Sequence, residues 1–186
     1  VQFFAWLGQV VQGDFGRSLR TGEPVLNLIL QKLPVTIQLA TASILVAICI
    51  GIPIGILAAR RKGTVVDYSA SAVALSGLSI PNFWFGIMLI LLVSVHLKWL
   101  PASGYESIFE HPWEAIKRLI MPAFVLGNGL AAFLMRHTRS AMLEVLRSDY
   151  VRTARAKGLD EDAVVHRHAL RNALMPIITL TTLLFG

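Results

Sequence analysis

Residues 33–59 read LPVTIQLATASILVAICIGIPIGILAA, and Cys49 is the one ionisable side chain among these 27 residues. At about 1.5 Å of rise per residue, a helix of this length reaches roughly 40 Å and crosses the hydrocarbon core of a bilayer with some tilt. Two more charge-free runs cover 69–95 and 119–135, and a fourth begins at Leu174. A soluble domain built from 186 residues has room to bury one such helix but not three and a half. The sequence therefore predicts an all-α, polytopic membrane protein.

The composition agrees with this fold class. Hydrophobic residues make up 55% of the chain and charged residues 15%. Cys49 is the only cysteine, which excludes a disulfide framework and indicates a small buried hydrophobe. We attribute the net charge of +6 to membrane topology and to attraction for anionic lipid rather than to nucleic-acid binding.

The basic residues predict the orientation. The short loop 60–67 and the long loop 136–173 together hold eleven of the 17 Lys and Arg residues. By the positive-inside rule both loops face the cytoplasm, and residues 1–32 and the loop 96–118 face the outside. An external N-terminal segment requires an earlier span or a signal sequence, and the chain starts at Val1, so we interpret it as an internal fragment of a longer protein. The predicted organisation is an external lead-in over 1–32 and a transmembrane domain over 33–186, with spans at 33–59, 68–95, 119–135 and 174–186, the last incomplete.

The long charged loop has its own helical pattern. Apolar side chains recur at helical spacing from Ser140 to Lys157 and predict one amphipathic helix, with Arg155 on a solvated face. Gly158 tolerates the left-handed conformation that ends a helix, and Asp160 is a candidate N-cap for a second helix running to about Arg171. Two helices joined in this way predict a rigid bent hairpin. The alternative is a solvated connector whose apolar face rests on lipid headgroups.

Two stretches of this loop carry a family resemblance. Residues 149–158, DYVRTARAKG, and 168–176, HALRNALMP, resemble the signature loop of the permease subunits of ABC importers, in the branch that carries dipeptides, oligopeptides, nickel and glutathione. Arg152 stands where the general signature has a glutamate, and Pro176 comes later than in the consensus. The resemblance continues in other motifs along the chain: Gly13-Asp-Phe-Gly16, Leu33-Pro34-Val-Thr36, Gly51-Ile-Pro-Ile-Gly55, Trp99-Leu-Pro101, Met135-Arg136 and Thr138-Arg139-Ser140.

The resemblance implies a type I importer permease fold in a bacterial cytoplasmic membrane. In such importers the first loop helix docks into a groove on a cytoplasmic ATPase subunit, so ATP and Mg²⁺ are bound by the partner and this chain is not itself an enzyme. The other implied partners are a second homologous permease, a periplasmic or extracellular solute-binding protein and membrane lipid. The solute is not identified. The residues implied to couple to the ATPase are Tyr150, Arg152, Thr153, Ala154, Ala156, Lys157, Gly158 and Leu159.

Uncharged polar residues within the spans are candidates for a solute path. They either line that path or form hydrogen bonds between helices. The candidates are Gln38, Ser76, Ser79, Asn82 and Asn128. No carboxylate or histidine lies within the spans, which disfavours a proton-coupled carrier.

Catalytic and metal motifs are missing from the sequence. It lacks the Gly-x-x-x-x-Gly-Lys-Ser/Thr loop that cradles phosphates. The glycines at 127–132 match a loose dinucleotide fingerprint but lie in an apolar run with no strand before them. His166 and His168 point to different faces of a helix, so no metal site is predicted.

Two other functions fit parts of the pattern. A secondary carrier with a lipid-facing loop would share the spans and the amphipathic helix. A helix-turn-helix DNA-binding element would share the basic helix, the glycine turn and the second helix. Because both ends of this loop are tethered to spans, it has little freedom to enter a DNA groove, and no nucleic-acid partner is expected.

Overall fold

The computed structural model describes residues 2–185, without the side chain of Ala5, and it is helical. It forms two compact units, the first ending at Leu39 and the second beginning at Ala40. The first unit contains helix α1, Gln2–Val11, and a series of turns in which Gly13, Gly16 and Gly22 adopt positive φ angles. Helix α2, Val25–Arg60, begins in this unit, eight residues before the predicted span. Lys32 lies just before the charge-free run, but the helix extends through it towards the N-terminus, because a lysine does not interrupt helical hydrogen bonding.

The second unit includes the part of α2 from Ala40 to Arg60. It contains α3, Val65–Ser79, and α4, Asn82–Leu89, which continues as a π-helix over Ile90–His96. Helix α5 covers Pro112–Leu146, and the short α6 covers Asp149–Ala156. The last segment runs without a break through α7, Glu161–Ala163, a π-helical stretch, Val164–Ala169, and α8, Leu170–Phe185.

The predicted span 68–95 is not one continuous helix. Its two halves meet at Ile80 and Pro81 with a bend of 99°. Ile80 is extended, with φ −78° and ψ 124°, the conformation that steric conflict with a following proline ring imposes. By length and composition α2 and α5 can each cross a membrane, and the bent pair makes a third span if it is counted as one. The predicted all-α, polytopic class is confirmed.

The charged loop also differs from its prediction. The expected helix over 140–157 is two helices, because α5 ends at Leu146 and Ser148 is extended, with φ −69° and ψ 152°. The Ser148 hydroxyl donates to the carbonyl of Val145 at 2.6 Å, so this side chain bonds to the end of α5 and does not continue the helix. The second loop helix was expected to end near Arg171, but it continues to Phe185.

Small residues let α2 and α5 approach closely. A Cβ atom on Gly55 would lie 2.7 Å from the Met135 carbonyl oxygen, and one on Gly51 would lie 2.7 Å from that of Ala131. A Cβ on Gly127 of α5 would meet the Ser43 carbonyl oxygen at 2.8 Å. This spacing is the small-residue packing common between membrane helices.

Candidate functional site

The turn after α6 has the geometry expected from its sequence. Gly158 has φ +77°, its N–H donates to the Arg155 carbonyl at 2.9 Å, and the next N–H, of Leu159, reaches the Ala154 carbonyl at 3.4 Å. These two bonds form a Schellman motif, which satisfies the last carbonyls of a helix. Asp160 then accepts the N–H of Asp162 at 3.1 Å. The predicted left-handed glycine and the predicted N-cap are both confirmed.

The inner face of α6 packs against the chain itself. Val151, Ala154 and Val164 form a buried cluster that partly buried Val145 and Leu146 extend. Ala154 is 6% exposed and Val151 is fully buried. Ala154, expected on the partner-facing surface, is therefore an interior residue of this loop. The sequence spacing identifies an apolar face, but the surface that this face packs against includes Val164, in the π-helical stretch of the next segment.

Arg155 closes the turn by an ion pair. Its guanidinium donates to both carboxylate oxygens of Glu161, at 2.7 and 3.0 Å, and to the Leu146 carbonyl at 3.4 Å. The hydrogen bond from Arg155 lowers the pKa of the Glu161 carboxyl, against an opposing effect of burial. The same bond raises the pKa of Arg155. Arg155 is exposed, as expected, with 40% of its side chain accessible, and it also links α6 to the start of the next segment.

Tyr150 provides a second link. The Asn172 side-chain amide donates to the Tyr150 hydroxyl at 2.6 Å, and the hydroxyl reaches the His168 carbonyl at 3.5 Å. Tyr150 is nevertheless 42% exposed, so its ring borders the surface while its hydroxyl is held. α6 is thus fixed at its first turn by Tyr150 and at its last by Arg155.

The outer face of α6 is open. The Arg152 side chain is 76% exposed and makes a long contact of 3.4 Å with Asp149. Leu159 beyond the turn is 42% exposed. The predicted coupling residues that the structure brings together on this surface are Tyr150, Arg152, Thr153, Ala156, Lys157, Gly158 and Leu159. We call these seven residues the α6 surface.

Two ion pairs near this loop have no local signal in the sequence. Arg139 of α5 makes a two-bond contact with Asp67 of α3, at 2.6 and 2.8 Å, and the Asp67 side chain is 2% exposed. Arg60, at the end of α2, pairs with Asp162 of α7. The partners are 72 and 102 residues apart, so only the fold brings them together.

The candidate path residues are in varied surroundings. The Ser76 and Ser79 hydroxyls are exposed and donate to carbonyls of their own helix, at 2.8 and 2.9 Å. Half-buried Asn128 lies beside Gly77, where a Cβ would be 3.3 Å from its amide nitrogen. Asn82 is exposed, with its Oδ1 3.9 Å from the Cβ position of Gly129. Asn128 is a residue of α5, and Asn82, just after the bend, lies near its neighbour Gly129. Gln38 belongs to the first unit.

An apolar cavity of about 300 Å³ adjoins Asn128. It lies between α2, α3 and α5, and Ser69 and Asn128 are the polar side chains among its lining residues, which also include Gly51, Ala70, Ala132 and Met135. The cavity supplies space next to one path candidate but few groups that would recognise a charged solute.

Comparison with known protein families assigns the chain to one of them. The model of the family described as "Binding-protein-dependent transport system inner membrane component" matches residues 51–186, which is more than half of the chain. The chain therefore belongs to this family. The predicted family and the predicted multi-pass inner-membrane location are confirmed.

Individual relatives are similar over nearly the whole chain. The oligopeptide transport system permease protein AppB of Bacillus subtilis (strain 168) is 49% identical over 183 residues, which are 97% of this chain and 58% of the relative. The di/tripeptide transport system permease protein DppB of Pseudomonas aeruginosa (strain UCBPP-PA14) is 42% identical over 205 residues, covering 100% of this chain and 61% of the relative. The chain thus spans about three fifths of the length of these relatives.

Proposed function

We propose that this member of the family is a membrane-spanning permease subunit of an ATP-driven importer for peptides or related small solutes. The names of its relatives, which specify oligopeptide and di/tripeptide transport, support the solute class. In this proposal the α6 surface docks on a cytoplasmic ATPase subunit, which binds ATP and Mg²⁺ and performs the hydrolysis. A second permease, an external solute-binding protein and membrane lipid complete the set of partners.

The observation that carries this proposal is the division of α6 into two faces. Val151 and Ala154 are buried against the chain, while Arg152, Thr153, Ala156 and Lys157 are exposed. Links at both ends, through Tyr150 and Arg155, hold the helix in place. A helix that is fixed internally and exposed on a basic outer face can transmit force from a soluble partner, which a loosely held connector cannot.

The solute path is a second part of the proposal. We place it beside the bend at Ile80 and Pro81, where Asn82 and Asn128 approach the same stretch of α5. Ser76 and Ser79 line it with hydroxyl groups that already donate to carbonyls of their own helix. Gln38 of the first unit stays a separate candidate. Uncharged polar groups suit a zwitterionic peptide because they solvate both of its ends without trapping either.

Reversing the charge on the α6 surface tests the docking role. An Arg152→Glu/Lys157→Glu double variant of the full-length protein should lose co-purification of the ATPase subunits at least several-fold while it still inserts in the membrane. The matched control is Arg20→Glu, also an exposed basic residue, but in the segment predicted to face the outside. Wild-type co-purification by the double variant would exclude the α6 surface as the docking site.

A further inference from the structure

The turn between α2 and α3 is held from two sides. On one side the buried Asp67 carboxylate receives two bonds from Arg139 and a third, at 3.0 Å, from the Gly63 N–H within the turn. A carboxylate with three charge-assisted hydrogen bonds has its burial fully compensated. Asp67 therefore fixes the turn to α5.

On the other side the same turn is linked to the charged loop. Arg60, at the last position of α2, pairs with Asp162, and Glu161 beside it pairs with Arg155 of α6. The connection thus runs from α6 through Glu161 and Asp162 to the end of α2, and from the turn through Asp67 to α5. We call these three pairs, Arg155–Glu161, Arg60–Asp162 and Asp67–Arg139, the ionic relay.

Fold stability alone does not account for the middle pair. The Arg60 and Asp162 side chains are 34% and 67% exposed, and ion pairs at such exposure contribute little to stability because water and salt screen them. Such a pair can instead constrain the relative position of the two segments that it joins. It connects the end of a helix long enough to span a membrane to the segment that holds α6.

We propose that the ionic relay positions the ends of α2 and α3 relative to α6, so that a displacement of α6 moves both spans. This inference rests on the proposed docking of an ATPase at the α6 surface. Arg60 and Asp162 are positioning residues in it, since they touch neither solute nor nucleotide. Loss of the middle pair should leave docking intact but disconnect hydrolysis from transport.

The test uses the complete transporter in proteoliposomes, with solute moved per ATP hydrolysed as the readout and ATPase co-purification measured in parallel. Asp162→Arg should lower the ratio several-fold with co-purification unchanged, and Asp162→Asn should lower it less. The exchanged pair Arg60→Asp/Asp162→Arg should restore most of the ratio, because it rebuilds the attraction with reversed charges. Glu114→Lys is the matched control: it breaks the comparably exposed Glu114–Lys117 pair at the start of α5, and the ratio should not change.

The outcomes separate the relay from docking. An unchanged ratio in Asp162→Arg, with the ATPase bound as in the wild type, would overturn the relay and leave the proposed function intact. A lowered ratio that the exchanged pair does not restore would also overturn it, since the residues would then act individually. Wild-type co-purification by the Arg152→Glu/Lys157→Glu variant would overturn the proposed docking at the α6 surface, on which the relay rests.

Discussion

Arg155 and Glu161 face each other across the Gly158 turn with two hydrogen bonds, at 2.7 and 3.0 Å. The bond lowers the pKa of Glu161, so the pair contributes stability above the ordinary glutamate pKa and loses it as pH falls through the lowered value. We expect the protection factors of the α6 amides in the wild type, which are corrected for the intrinsic exchange rate at each pH, to fall below about pH 4.5.

The matched variants locate this pH effect. Glu161→Gln should give lower protection factors for the α6 amides than the wild type at neutral pH, with no further fall between neutral pH and the acid range. In Arg155→Ala, NMR titration of Glu161 should give a pKa closer to its ordinary value. A Glu161 pKa that does not respond to Arg155→Ala would contradict the assignment of the shift to this pair.

Two alanines on α6 distinguish internal packing from docking. Ala154→Asp places an unpaired charge in the cluster with Val151 and Val164, at a cost of more than about 3 kcal/mol, which should detach α6 locally. Ala156→Asp changes an exposed position two residues away and should leave α6 in place. Limited proteolysis of the loop should therefore accelerate in Ala154→Asp alone, whereas ATPase co-purification should fall in both. Equal protease resistance of the two variants would show that Ala154 is not packed as described.

Local chemistry explains what the sequence predicted correctly in this region. The left-handed Gly158 and the Asp160 cap depend on their immediate neighbours, so residue type and spacing suffice to predict them. The burial of Ala154 and the pairing of Asp67 with Arg139 depend on segments that only the fold brings together. Apolar periodicity continues across the break at Ser148, because Val145 and Leu146 before it pack against the same cluster as Val151 and Ala154 after it, so the pattern does not predict the break.

The conformation of Gly158 gives a prediction about the turn. An added Cβ would meet no atom within 4 Å, so the constraint is the φ of +77° and not the space. Gly158→Val should cost roughly 1–2 kcal/mol, because a branched side chain is strained in the left-handed region, and Gly158→Asn should cost less. Transport and ATPase co-purification should follow the order wild type, Asn, Val. Full activity of Gly158→Val would mean that the direction of α6 is not critical.

The contact between α2 and α5 gives a prediction about stability. Gly55→Ala would put a methyl group 2.7 Å from both the Met135 carbonyl oxygen and the Thr138 Cβ, so the helices must separate, at a cost of about 1–3 kcal/mol. Gly86→Ala is the matched control, since its Cβ would meet Val125 at an ordinary 3.8 Å. In detergent, the midpoint of thermal unfolding should be lower for Gly55→Ala than for the wild type and unchanged for Gly86→Ala. Equal midpoints would contradict the close approach of the two helices at this position.

The predicted orientation in the membrane can be tested by cysteine labelling. Eleven of the 17 basic residues lie in the loops 60–67 and 136–173, and this asymmetry predicts that both loops face the cytoplasm. In a Cys49→Ser background expressed without the ATPase subunits, single cysteines at Ser103 and Lys157 should react with a membrane-impermeant maleimide from opposite sides. Both positions are exposed and Lys157 lies on the α6 surface, so neither should be protected by burial in this chain. In intact cells Ser103→Cys should label at once and Lys157→Cys only after permeabilisation. Labelling of Lys157→Cys in intact cells would place the α6 surface outside, where no cytoplasmic ATPase can reach it.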